Sequence, residues 1–205
     1  MAAASTKSDR AALLKAFDEA RTGVRGLVES GVSTVPDLFV HTNPYASVPL
    51  APPGVSIPVV DLSLPAHVLF GPTPPNAERI PSVCRSEVIE WEAHAAAVAR
   101  AVMALLSQGL GLGDAALEET SCLEGKLMVC HYYPVCPEPE RTMGLVPHTD
   151  PGVLTVLEQD GVGGLQVKHT NGDGESFWVD VRPAPGALVI NVGDLLQLPS
   201  LDQLA

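Results

Sequence analysis

The chain has 205 residues, 46% of them hydrophobic, enough for one sizeable core. Acidic residues outnumber basic ones 24 to 12, giving a formal net charge of −12, and Lys and Arg never gather into a run. That balance argues against a nucleic-acid backbone or an anionic membrane surface as partner.

The first periodic segment runs from Ser8 to Ser30, where Leu13, Phe17, Val24, Leu27 and Val28 fall near helical spacing and Gly31 supplies a stop. Residues 41–82 hold ten of the nineteen prolines, and Pro52-Pro53 and Pro72-Thr73-Pro74-Pro75 exclude regular helix there. One short apolar piece, Ile57–Leu62, reads as a strand, whereas Leu64 to Pro81 reads as irregular. A second helix is expected from Ser82 to Leu110, with Val88, Ile89, Val98, Val102, Leu105 and Leu106 as its buried stripe. Gly109, Gly111 and Gly113 end it, and Asp114 is placed to cap a short helix containing Leu117 and Glu118.

After Gly125 the pattern changes to short β-type runs: Leu127–Tyr133, Leu145–Asp150, Val153–Leu157, Leu165–Val167, Phe177–Val181, Ala187–Val192 and Leu195–Leu198. Turn chemistry separates them, including Gly161-Val162-Gly163-Gly164, Asn171-Gly172-Asp173-Gly174 and Pro185-Gly186. Many short strands at this rhythm suggest a sandwich, jelly roll or barrel braced by the preceding helices. The expected divisions are an N-terminal region over 1–62, a Pro-rich segment over 63–81, and a helix plus β domain over 82–205.

Cys84, Cys122, Cys130 and Cys136 are too sparse for a disulfide scaffold and lack the spacing of a zinc site. The first thirty residues show no basic patch followed by an apolar run, and no stretch approaches the ~20 apolar residues of a membrane span. A soluble, cytoplasmic protein is expected.

Chemistry is concentrated in Pro147-His148-Thr149-Asp150. On a strand, side chains two apart project from one face, so an imidazole and a carboxylate there would supply two corners of a metal site. With a second histidine they make the 2-His-1-carboxylate facial triad of non-haem Fe(II) oxygenases, which keeps three positions open for a bidentate co-substrate and dioxygen. A bare H-x-D arises by chance in a chain this long, so its surroundings decide its meaning.

Those surroundings read K-L-M-V-C-H-Y-Y-P-V-C-P-E-P-E, then G-L-V-P-H-T-D-P-G-V-L-T-V-L, G-G-L-Q-V and W-V-D-V-R-P-A-P-G-A-L-V-I-N-V-G-D-L-L-Q-L, between Lys126 and Leu198. In order, spacing and identity they resemble the plant-type Fe(II)/2-oxoglutarate-dependent dioxygenases, nearest the ACC-oxidase homologues and benzoxazinoid-glucoside dioxygenases. The opening helix and the Ile57–Leu62 strand resemble that family's N-terminal region. The resemblance implies a mainly β fold with flanking helices (α+β), a double-stranded β-helix or jelly roll around Fe(II), with His148 and Asp150 as metal ligands. It implies that Tyr133 contacts the co-substrate 2-oxoglutarate, that ascorbate supports activity, and that the substrate is a small organic molecule. His131 stands where many members have asparagine. Trp178 reads as a buried strand anchor, and Gly193-Asp194 as a turn pair.

Three departures from the family pattern shape the expectation for this chain. The distal histidine should follow G-D-L-L-Q-L, where this sequence has Pro199 to Ala205; His169, the only histidine after Asp150, sits beside Asn171-Gly172 in what reads as a hairpin turn. No R-x-S clamp for the co-substrate carboxylate follows Asp150, whose only later basic residues besides His169 are Lys168 and Arg182. The W-G-F-F-type strand and N-H-G-V turn are replaced by Leu64 to Pro81. The expectation is an incomplete jelly roll in an apparently truncated enzyme, with weak iron binding and impaired turnover. The alternative is a non-catalytic truncated form acting through protein association at an open sheet edge.

Overall fold

The computed structural model describes residues 7–41, 47–60 and 85–197. Helices come first and antiparallel strand pairs follow, the mixed α/β order of an incomplete jelly roll. The chain divides into two compact units. One joins the N-terminal residues up to Val48 with Met128–His148; the other joins Pro49–Leu127 with the residues from Thr149 onward.

In the first unit, the expected single helix over 8–30 is two helices, α1 (Lys7–Ala20) and α2 (Gly23–Glu29). The break falls at Arg21, whose φ of 53° is left-handed, followed by Gly23 at φ 62°. A left-handed non-glycine residue costs about 1–2 kcal/mol, a cost that hydrophobic periodicity does not register. Phe17 of α1 meets Phe39 edge-on, with ring centroids 5.2 Å apart. Val35 and Leu38 are buried. The Val35 N–H donates to Glu138 Oε2 at 2.7 Å, and Arg141 Nη1 donates to both oxygens of the same carboxylate at 3.0 and 2.9 Å. These bonds hold the Glu138 carboxyl below the usual glutamate range, the Val35 N–H contributing most.

The second unit is built on α3 (Arg85–Gly109), close to the expected 82–110. Its deepest positions are Ala97, Met103 and Ser107, whereas Leu105, expected in the buried stripe, is 48% exposed. Ser107 is fully buried and satisfied: its hydroxyl donates to Met103 O at 2.9 Å and accepts the Leu117 N–H at 3.3 Å. Asp114 does not cap a following helix. It accepts a hydrogen bond from Gln108 at 3.1 Å, and the next element is a single 3-10 turn over Glu118–Thr120.

Four strands follow: β1 (Leu154–Leu157), β2 (Gln166–Thr170), β3 (Ser176–Asp180) and β4 (Val189–Val192). They form two antiparallel pairs, β1 with β4 and β2 with β3. The β2–β3 hairpin closes on the predicted Asn171–Gly174 turn, where Asn171 Oδ1 accepts the N–H groups of Asp173 and Glu175 and Gly174 takes φ 83°. Trp178 lies on β3, half-buried as an anchor, and its backbone exchanges hydrogen bonds with Pro49 and Ala51 at 2.9 and 2.7 Å. The strand expected at 57–62 is therefore not the one beside the sheet: Ile57–Val60 is not a strand, Leu50 bridges to Trp178 instead, and Asp61 and Leu62 lie outside the described residues. Leu195–Leu198, read as a strand, begins instead inside helix α4 (Asp194–Gln197), with Leu198 outside the described residues. Leu127–Tyr133 and Leu145–Asp150 form no strand ladder among the described residues. Among the described residues, no helix is long and apolar enough to cross a membrane.

Candidate metal and co-substrate residues

Tyr133 and His148 belong to the first unit and Asp150 to the second, the division falling between His148 and Thr149. Each is held by its own surroundings.

Tyr133 is 58% exposed and stacks on His131 with ring centroids 5.9 Å apart and planes 18° from parallel. Its ring lies across Gly144, where an added Cβ would stand 2.7 Å from Tyr133 Cε1. Any larger residue at 144 would displace the ring. His131, standing where many members of the resembled family have asparagine, serves here as a stacking surface for Tyr133.

His148 is exposed, and its Nδ1 lies 2.9 Å from the Val146 carbonyl oxygen. A carbonyl only accepts, so Nδ1 carries the proton and the neutral ring has its lone pair on Nε2. Metal-bound histidines are commonly oriented this way, one ring nitrogen donating to a backbone carbonyl while the other faces the metal.

Asp150 is half-buried, and its Oδ2 accepts hydrogen bonds from the Thr155 hydroxyl and, at 2.9 Å, from Asn191 Nδ2. Its backbone is tied too. The N–H groups of Gly193, Asp194 and Leu195 donate to the carbonyls of Val153, Asp150 and Gly152 at 3.0, 2.8 and 3.1 Å. Thr149 Oγ1 adds a bond to Asp194 Oδ2 at 2.8 Å. The two strands of backbone approach so closely that a Cβ on Gly193 would sit 2.2 Å from Gly152 O and 2.9 Å from Asp150 O. Only glycine fits. Gly193-Asp194, expected to be a turn pair, instead leads into helix α4 and fastens the segment that carries Asp150.

Sequence reasoning passed over Thr155 and Asn191. Their signal was present: each is the one polar residue in an otherwise apolar strand, L-T-V-L and V-I-N-V. His169, expected in a turn, lies in β2 opposite Phe177, with ring centroids 5.2 Å apart. Among the described residues, no three His, Cys, Asp or Glu side chains gather as a metal-holding group. Pro199 to Ala205, where the distal histidine was sought, and Leu64 to Pro81 lie outside the described residues.

Imidazole and carboxylate are donor types suited to Fe(II), and each of the two side chains is oriented by hydrogen bonds within its own unit, so each residue by itself fits the role of a ligand.

Residues 124–203 match the family model described as the 2OG-Fe(II) oxygenase superfamily. The chain is 50% identical over 134 residues to 1-aminocyclopropane-1-carboxylate oxidase homolog 10 of Arabidopsis thaliana, covering 65% of this chain and 36% of that protein. At that identity the chain spans about a third of the relative's length. To homolog 4 of the same organism it is 33% identical over 276 aligned positions, covering 96% of this chain and 77% of the relative. As this chain has 205 residues, at least 71 of those 276 positions hold none of them. A solved structure described as JOX2 in complex with 2OG, Fe and JA is 32% identical, covers 58% of this chain and 34% of that chain, and reaches a TM-score of 0.47, too slight a likeness to bear weight.

Proposed function

Because this chain belongs to the 2OG-Fe(II) oxygenase superfamily, the plant 2-oxoglutarate/Fe(II)-dependent dioxygenases that use Fe(II) and 2-oxoglutarate, we propose that it holds iron through His148 and Asp150 and meets 2-oxoglutarate through Tyr133. When bound, these groups would supply the family's oxidative chemistry, in which dioxygen is the oxidant both for decarboxylation of 2-oxoglutarate to succinate and CO2 and for oxidation of an organic substrate. The residues of this chain do the positioning. His148 presents Nε2 because Nδ1–H is engaged by the Val146 carbonyl. Asp150 brings a negative charge to offset the cation, and Thr155 and Asn191 hold that carboxylate in place. Tyr133 offers a phenolic hydroxyl from a ring kept in plane by His131 and Gly144.

The observation that carries the reading is the pair of donors, separated by a single residue in sequence, each oriented by its own hydrogen bond. We further propose a small organic substrate of plant specialised metabolism or hormone chemistry, ascorbate dependence, a cytoplasmic location, and a catalytic domain within 82–205. Equilibrium dialysis with Fe(II) under argon tests the centre: binding at least tenfold weaker in Asp150→Ala and His148→Ala is the expected result. Iron uptake indifferent to both substitutions would defeat the assignment. Succinate release with iron, ascorbate and 2-oxoglutarate then measures how much turnover survives.

A second reading, association with a relative through an unpaired edge, is favoured by the stretch Lys126–Cys136, where Leu127 is 88% and Val135 87% exposed and no ladder forms among the described residues. Sedimentation of the chain mixed with a family member tests it; independent sedimentation of the two would end that reading.

A further inference from the structure

The register of one strand pair brings two polar side chains to the same carboxylate. In β1 and β4, Thr155 stands directly opposite Asn191, flanked by the apolar pairs Leu154 with Val192 and Val156 with Ile190. Residues directly opposite in an antiparallel pair project from the same face, so whatever Thr155 approaches, Asn191 approaches from the neighbouring strand. Both donate to Asp150 Oδ2. The tethers linking Asp194 to Thr149 and to the Asp150 carbonyl hold the backbone of the same residue from just beyond the end of β4.

From this geometry we infer that Thr155 and Asn191 are positioning residues for the metal, a two-strand clamp that fixes the plane of the Asp150 carboxylate before a metal ion arrives. The inference rests on reading Asp150 as a ligand. An aspartate side chain rotates broadly about its terminal torsion, and a metal must arrest that rotation on binding. Two donors on one oxygen arrest it in advance. Together they engage both lone pairs of Oδ2. The clamp spans two strands, so neither residue suffices alone: the hydroxyl and the amide approach Oδ2 from different strands, and the plane is defined only by both.

Mn(II) is a suitable probe, since the signal of the free aqua ion in electron paramagnetic resonance reports unbound metal directly. Titrating the 205-residue chain, Thr155→Val and Asn191→Ala are each expected to weaken Mn(II) binding about 10- to 100-fold, the usual cost of losing a partner behind a ligand. Thr155→Ser keeps the hydroxyl and is expected to restore binding, which a loss of strand packing would not allow. The spectrum of the bound ion should broaden in Thr155→Val and return in Thr155→Ser. Binding unchanged in Thr155→Val and Asn191→Ala, while Asp150→Ala abolishes it, overturns the clamp and leaves the ligand assignment standing. Wild-type binding that Asp150→Ala does not alter overturns the ligand assignment itself, and the clamp with it.

Discussion

The strand pair β1–β4 and the stretch Lys126–Cys136 are both rich in apolar residues, Leu, Val and Ile in the first and Leu, Met, Val and Tyr in the second, yet they end in different states. Leu154–Leu157 and Val189–Val192 pair residue for residue, and the polar pair within them is aimed at one carboxylate. Lys126–Cys136 forms no ladder among the described residues, and Tyr133 within it is held by a stacked ring and a glycine. Composition sets the tendency to extend; a partner strand decides whether an extended segment fixes a side chain. A residue placed by register is held from two directions through backbone hydrogen bonds. A residue placed by ring contact alone has no such second anchor.

The contrast breaks most sharply at Gly193. Gly193→Ala is expected to destabilise the second unit by about 4 kcal/mol, because the new methyl meets backbone and the backbone must move. Gly152→Ala, whose Cβ would meet nothing within 4 Å, is the control and should stay within about 0.5 kcal/mol in urea unfolding. Next in size is Ser107→Ala, which strands the buried Leu117 N–H and should cost about 1–3 kcal/mol in the same assay.

A smaller, pH-dependent effect is expected at Glu138. Its carboxyl titrates lower in the folded chain than in the unfolded one. Its contribution is therefore complete above the unfolded value of about 4.3 and fades as pH falls through the lower folded value. Glu138→Gln should flatten the acid limb of melting temperature against pH in that window and leave the slope above it unchanged. The least effect is expected at Val135→Ser in the exposed stretch, within about 0.5 kcal/mol by urea unfolding. A larger loss there would show that the stretch is covered in solution and would erase the contrast with β1–β4.

Legibility followed locality. Helix α3 and the β2–β3 hairpin were readable because their signals, a long apolar stripe with terminal glycines and an Asn-Gly-Asp-Gly turn, lie within the elements themselves. The break at Arg21 was not, since a left-handed backbone leaves no mark on hydrophobic spacing, and Leu195–Leu198 was mistaken because four apolar-rich residues fit either period. At the site, His148, Asp150 and Tyr133 were legible only as candidates, by spacing and resemblance. Thr155 and Asn191 were visible as lone polar residues in apolar runs, but their shared partner was not, because the pairing that gives them meaning joins residues 36 positions apart.

The β1–β4 register carries a consequence for how this sequence can change. Side chains alternate faces along a strand, so inserting or deleting one residue between Asp150 and Thr155 would turn a hydroxyl away from the carboxylate and offer an aliphatic group in its stead. The same lesion within β1 beyond Val156, or in the connection leading to β4, would leave both donors where they are. Along some forty residues of chain, then, tolerance to length change differs abruptly from one position to the next, and the boundary is drawn by pleating rather than by exposure.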